Sequence, residues 1–302
     1  MNVLVTGAAG FIGARLCEAL SRAGHWTAAL SRDPAGARGR VASLDQAFRW
    51  DPVAEPPPAE AFAGVEAVVH LAGESLRGRW TAAKKRAIRD SRVLGTGRLV
   101  DAIEALGKRP RVLVSASASG YYGDRGDEEL TEESAAGAGF LEALCMEWER
   151  EAARARALGV RVVRLRTGIV LGRGGGALGA LLPLFRLGLG GPLGNGRQWW
   201  PWVHQDDVTG LVLHALRSDW DGPVNVCAPQ PVRQRDLART LGRALRRPAI
   251  LPAPAFALRL ALGGVAGELL ASRRMAPGKA LAAGYRFQFR RLETALEDLA
   301  RG

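Results

Sequence analysis

Val3-Leu4-Val5-Thr6-Gly7-Ala8-Ala9-Gly10-Phe11-Ile12-Gly13 joins a short apolar strand to a helix through a Gly-x-x-Gly-x-x-Gly turn. Ile12, Leu16, Ala19 and Leu20 share one face of the helix that follows, and Gly24 stands where a C-terminal cap is expected. Each glycine has its own task. Gly7 permits the tight turn, Gly10 lets backbone approach a pyrophosphate, and Gly13 lets the helix pack closely on the sheet. The free N–H groups and dipole of the helix start favour bound phosphate. A strand before and a helix after give the glycines the context that dinucleotide binding requires.

The pattern downstream agrees. Thr27-Ala28-Ala29-Leu30 is a second strand, Ala67-Val68-Val69-His70 another, and Arg111-Val112-Leu113-Val114 a further one ending in Ser115-Ala116-Ser117-Ala118-Ser119. Helical stretches are expected from about Ala82 to Leu106 and from Phe140 to Leu158, followed by the strand Val160–Leu165. Alternating strands and helices predict an α/β fold, a Rossmann-type doubly wound parallel sheet with helices on both faces. A smaller, mainly helical C-terminal substrate region completes it. The expected division is 1–228 for the NADP-binding domain, with a glycine-rich substrate-side insertion near 171–205, and 229–302 for a substrate lid.

At the end of the second strand an acidic residue would bond ribose hydroxyls, whereas Arg accommodates a 2′-phosphate. This chain has Ser31 and Arg32 there, with Asp33 one residue later, so NADP(H) is the expected cofactor.

Composition sets the outer limits. The 302 residues are 47% hydrophobic and 24% charged, enough for a sizeable core. No run of about twenty apolar residues occurs, so no membrane span and no membrane partner are expected. The net charge of +12 is spread rather than clustered, so no nucleic-acid partner is expected either. Cys17, Cys145 and Cys227 lie far apart without ligand spacing, which suits a reduced, cytoplasmic protein with no metal site. A small-molecule substrate is the expected partner, and a homodimer is left open.

Four ordered motifs then resemble the extended short-chain dehydrogenase/reductase superfamily, the NAD-dependent epimerase/dehydratase group. They are Thr6–Gly13, His70-Leu71-Ala72-Gly73, Val93-Leu94-Gly95-Thr96 and Val203-His204-Gln205-Asp206-Asp207-Val208. Gly120-Tyr121-Tyr122-Gly123, Leu144-Cys145 with Trp148-Glu149, and Pro252-Ala253-Pro254 resemble its epimerase-like branch, which carries its own C-terminal helical piece. The resemblance implies that Gly7, Gly10, Phe11, Ile12, Gly13, Ser31 and Arg32 hold the pyrophosphate and 2′-phosphate end. It implies that Leu71, Ala72 and Gly73 meet the ribose region and that Ser117 stands near the nicotinamide, with Ser115 and Ser119 as register alternatives.

One departure bears on the chemistry. Typical members use a Tyr-x-x-x-Lys helix for proton transfer, and here those positions hold Leu141 and Cys145. Arg92 replaces the helix Asn. Cys145 is either a ribose-side contact or a packed helix residue, and Arg92 and Arg166 are either anion clamps or salt-bridge partners. Tyr121 or Tyr122 is either the substitute proton donor, alongside Ser117, or an aromatic packed on the substrate loop. Asp206 and Asp207 are read as caps of the next helix, with His204 shaping the pocket. His70 is read as a packed strand residue, and Trp199, Trp200 and Trp202 as core or substrate wall. The expected function is an oxidoreductase or epimerase acting on a carbonyl, alcohol or sugar-like carbon through a non-standard active site. The alternative is a catalytically silent NADP(H)-binding regulatory or scaffold protein.

Overall fold

A computed structural model describes residues 1–300. The first quarter lays down β1 (Asn2–Thr6), α1 (Phe11–Arg22), β2 (Trp26–Ser31), α2 (Pro34–Arg40), β3 (Gln46–Arg49) and β4 (Ala67–His70). Then come α3 (Ala82–Glu104), β5 (Val112–Ala118), the two-residue β6 (Glu129–Leu130), α4 (Phe140–Ala153) and β7 (Arg161–Thr167). The glycine-rich stretch contributes β8 (Ile169–Leu171), α5 (Gly176–Arg186), β9 (Trp199–Trp200) and β10 (Trp202–His204), then α6 (Gln205–Arg217) and β11 (Gly222–Val226). The C-terminal part adds β12 (Val232–Arg233), α7 (Gln234–Leu245), α8 (Ala255–Leu262), α9 (Gly264–Leu270), β13 (Arg274–Met275), α10 (Gly278–Ala282) and α11 (Leu292–Ala300).

Seven strands form one parallel sheet in the order β11-β7-β5-β4-β1-β2-β3. It is a Rossmann-like α/β fold, and the order reverses beside β1, where a ligand crevice opens at the carboxyl ends of the strands. Two clusters of buried side chains cover the faces. Val3, Val5 and Leu16 belong to one; Leu4, Leu99 and Leu113 belong to the other. Strands buried on both faces explain the near-continuous apolar runs seen in the sequence.

The α2–β3 unit was not foreseen. Asp33 caps α2 by accepting from the Gly36 N–H, with Pro34 at the first helical position. β3 is an edge strand with little burial, so it carries no apolar alternation to announce it. The expected helix from Phe140 to Leu158 ends as an α-helix at Ala153 and finishes as a tighter 3-10 turn over Arg154–Leu158.

His70 locks β1, β4 and α3 together. Thr6 Oγ1 accepts from the Leu71 and Ala72 N–H groups, so its own proton goes to His70 Nδ1 at 2.7 Å. Nε2–H of His70 then donates to Thr96 Oγ1 at 3.0 Å. That assignment requires a neutral ring. Complete burial, with Arg92 nearby, lowers the His70 pKa to about 4. An unfolded chain titrates this ring near 6.5, so the unfolded state binds more protons between the two values and stability falls as pH drops from about 6.5 to 4. The expected loss from this one group is about 3 kcal/mol. Denaturation across that range should show a markedly shallower slope for His70→Asn, and an unchanged slope would refute the assignment.

Candidate functional site

Backbone geometry builds the phosphate end. Gly7 has φ +70°, and a Cβ there would stand 2.9 Å from the Leu71 carbonyl. At Gly10 it would stand 3.1 Å from the Gly7 oxygen, and at Gly13 only 2.1 Å from that oxygen. Side chains at these three places would fill the space that lets β1, the turn and α1 close on one another. Gly10 is the N-cap of α1 and supplies no side-chain cap, so the first N–H groups of the helix remain available for an anion.

A cleft of about 550 Å³ opens there. Of the residues expected to hold cofactor, it is lined by Gly7, Gly10, Ser31, Arg32, Ala72 and Gly73. Phe11 lies on the other side of the turn, its ring covered by Gly172, Gly175 and Gly176, and its carbonyl accepts from Gln205 Nε2 at 2.8 Å. Ile12 packs on the core. Leu71 contributes backbone, bonded to Thr6. The far wall, Trp50 to Val53 with Asp90 and Ser91, was missed in the sequence. Its segment follows the unforeseen β3, so nothing connected it to the crevice.

Beyond the cleft a buried polar network ties β5, α4, β7 and β11 together. Ser117 Oγ donates to Glu149 Oε1 at 2.7 Å. Arg166 meets the same carboxylate with both prongs, Nε to Oε1 at 2.9 Å and Nη2 to Oε2 at 3.0 Å. Burial works against the Arg166 charge, but the paired Glu149 outweighs it and raises the guanidinium pKa above its ordinary value. Arg166 Nη1 donates to the Tyr122 hydroxyl at 3.0 Å, and that hydroxyl donates to Asn225 Oδ1 at 2.7 Å. Asn225 Nδ2 is in turn fixed by the Leu130 and Ala276 carbonyls.

Several expectations need correction against this geometry. Tyr122 is fully buried, its hydroxyl is committed on both sides, and burial pushes its pKa up to about 12, which disqualifies it as a ready proton donor. Cys145 packs beneath Gly120 and Ala118, and burial pushes its thiol up to about 12. It is a packed helix residue, not a ribose-side contact. Arg166 is the salt-bridge partner, not an anion clamp. Arg92 donates to the Glu74 and Ile88 carbonyls and lies over the Trp148 ring. Its guanidinium stands 3.0 Å from where a Gly73 Cβ would be, so it supports the turn after β4 from beneath. The cap of α6 is His204, whose Nδ1 accepts from the Asp206 N–H. Asp206 pairs with Arg15 instead, and Asp207 accepts from the Gln288 and Phe289 N–H groups.

Ser115 bonds its own neighbour, Ala116, and Ser119 is buried in the turn. Tyr121 is different. It is half-buried, the Arg166 guanidinium lies 3.5 Å above its ring, and among the described residues its hydroxyl has no hydrogen-bond partner. Trp200 and Trp202 are core, while Trp199 lies under Arg233 at 3.9 Å. Among the described residues no group of three or more His, Cys, Asp or Glu side chains could hold a metal ion.

Residues 3–227 match the family model described as the NAD dependent epimerase/dehydratase family, and residues 253–299 match a domain of unknown function, DUF1731. The "Epimerase family protein SDR39U1 homolog, chloroplastic" of Arabidopsis thaliana is 39% identical over 303 residues, covering 99% of this chain and 86% of that protein. "Epimerase family protein Mb2239" of Mycobacterium bovis is 37% identical over 297 residues, covering 97% and 96%. The crystal structure of human epimerase family protein SDR39U1 (isoform2) with NADPH superposes with a TM-score of 0.91 at 35% identity, covering 100% of both chains.

Proposed function

The chain belongs to the NAD-dependent epimerase/dehydratase family, and from that premise we propose that it binds NADP(H) at the carboxyl ends of β1, β2 and β4 and acts as an oxidoreductase or epimerase. The observation that carries this reading is the glycine cradle of Gly7, Gly10 and Gly13, opening on a cleft that also contains Arg32. NADPH in the human relative's structure supports the choice of cofactor. The α1 N–H groups would hold the pyrophosphate, Ser31 and Arg32 the 2′-phosphate, and Ala72 and Gly73 the ribose side. The nicotinamide, when bound, supplies or accepts the hydride.

The proton must come from this chain or from water. Tyr121 has the one uncommitted hydroxyl of the pair, beside a cation, and is the proposed donor to a carbonyl oxygen. Ser117 is held by Glu149 in one orientation, which leaves its oxygen lone pairs to accept from a substrate hydroxyl. On the substrate side, the α8–α9 turn approaches the loop after β4: a Cβ on Gly264 would lie 2.8 Å from the Trp80 ring. This contact supports residues 229–302 as a lid over a carbonyl, alcohol or sugar-like compound.

The test begins with titration of NADPH and NADH into wild type and Arg32→Ala. A charge-assisted contact of about 1.5–3 kcal/mol predicts that NADPH weakens at least about tenfold while NADH changes little. Equal weakening of both would remove the 2′-phosphate assignment. Substrate-dependent NADPH oxidation across a panel of carbonyl compounds should then fall about a hundredfold or more in Tyr121→Phe, with NADPH affinity kept. The second reading, a silent NADP(H)-binding protein, is favoured by the buried Leu141 and Cys145 at the usual Tyr and Lys places. It predicts cofactor binding without oxidation of NADPH by any member of the panel.

A further inference from the structure

Several exposed apolar side chains of the C-terminal half lie on two neighbouring segments and on the helix that follows them. Segments 186–193 and 247–253 run side by side, joined by Arg247 Nε to the Arg186 carbonyl, Leu251 N to the Gly190 carbonyl and Ala253 N to the Pro192 carbonyl. Leu187 and Ile250 on these segments are 72% and 76% exposed, and Leu189 and Leu251 accompany them. Pro254 then starts α8, which has no buried side chain at all. Its Phe256 and Leu260, one turn apart on the same side, are 73% and 77% exposed.

The rim of this face is basic. Arg239, Arg243, Arg246 and Arg247 line a groove together with Ile250. Among the described residues only Arg239 of these four has a carboxylate within salt-bridge distance, Asp236 at 3.7 Å. Arg259 lies on α8 itself. Arg246 is the single described non-glycine residue with positive φ, 53°, at the end of α7. That left-handed turn sends the chain back past the groove, with Arg246 and Arg247 on its rim beside Ile250.

We propose that this face docks peripherally on an anionic phospholipid surface. Projecting Leu, Ile and Phe side chains enter the acyl boundary, while unpaired guanidinium groups meet lipid phosphates. Contiguous exposed apolar side chains mark interaction sites, and the charge beside these selects the partner. In a two-fold contact between copies, the same patch faces itself, setting Arg243, Arg246 and Arg247 against their own kind. A nucleic acid would satisfy the arginines but leave the apolar tips in water. No described helix is long and apolar enough to cross a membrane, and docking of this kind needs none.

Cosedimentation of the full chain with vesicles tests the proposal. Vesicles of equal parts phosphatidylcholine and phosphatidylglycerol should pellet the protein, and pure phosphatidylcholine should not. F256S/L260S and R243E/R247E should each weaken the association about tenfold or more, with NADPH affinity unchanged as the measure of intact folding. No association with the anionic vesicles, or equal association of wild type and F256S/L260S, would overturn it. So would a lipid-free dimer abolished by F256S/L260S, which would give the face to a second copy of the chain.

Discussion

Glu149→Gln is expected to cost the protein about 3–5 kcal/mol of stability, because it leaves the buried Arg166 guanidinium without its counter-charge. The neutral amide keeps the shape but can no longer balance the cation, and only one of its two polar atoms can accept from Arg166 or Ser117. The damage should spread, since Ser117, Tyr122 and Asn225 all hang on the same network. Chemical denaturation of the single variants and of Glu149→Leu/Arg166→Met gives a double-mutant cycle. The double variant should be more stable than Glu149→Leu alone, because it no longer strands the Arg166 charge, while Arg164, which also reaches Glu149 at 3.3 Å, loses that partner in both. A Glu149→Gln protein within about 1 kcal/mol of wild type would mean that water reaches the pair and screens it.

Gly13→Ala should abolish tight cofactor binding. The new methyl group would lie 2.1 Å from the Gly7 oxygen and 2.8 Å from Ala8 Cα, and both are backbone atoms that cannot rotate away. Either α1 shifts off the turn or the turn opens, and both move the N–H groups that would face the pyrophosphate. A loss of at least about a hundredfold in NADPH affinity and a stability cost of about 3 kcal/mol or more are expected. Gly39→Ala is the control. It lies in α2 with nothing within 4 Å of its added methyl and no positive φ, so it should gain about 0.5–1 kcal/mol. Equal affinities for wild type and Gly13→Ala would show that the motif is only a packing turn.

The strands of the central sheet were legible wherever they are buried on both faces, since burial writes an apolar run into the sequence. The phosphate turn was legible because its glycines sit at fixed places between strand and helix. The α2–β3 unit escaped because an exposed edge strand obeys no such constraint. The buried network was legible only as one alternative at Arg166, because its members come from different elements and meet only in three dimensions. A signal did exist. Glu149 shares the buried face of α4 with Leu141, Leu144, Cys145, Trp148 and Ala152, and a charge at a core position demands a partner. Arg164 and Arg166 sit in a central parallel strand, where charges are equally out of place. Two anomalies of opposite sign predict each other. The His204 cap left no comparable trace, because an Asp pair next door is the commoner cap.

The tether between Asp207 and the Gln288–Phe289 backbone bears on how the protein is made. A ribosome that has released residue 228 has already delivered every strand of the central sheet. Yet Ala280 and Phe287 belong to the same buried cluster as Val203, Leu211 and Val226, and Asp207 still awaits its two N–H partners. The nascent sheet must therefore wait, with one flank of its core open to solvent, until a further sixty or so residues have emerged. Synthesis order and folding order part company here: the part of the molecule that holds the central sheet is translated first and sealed last.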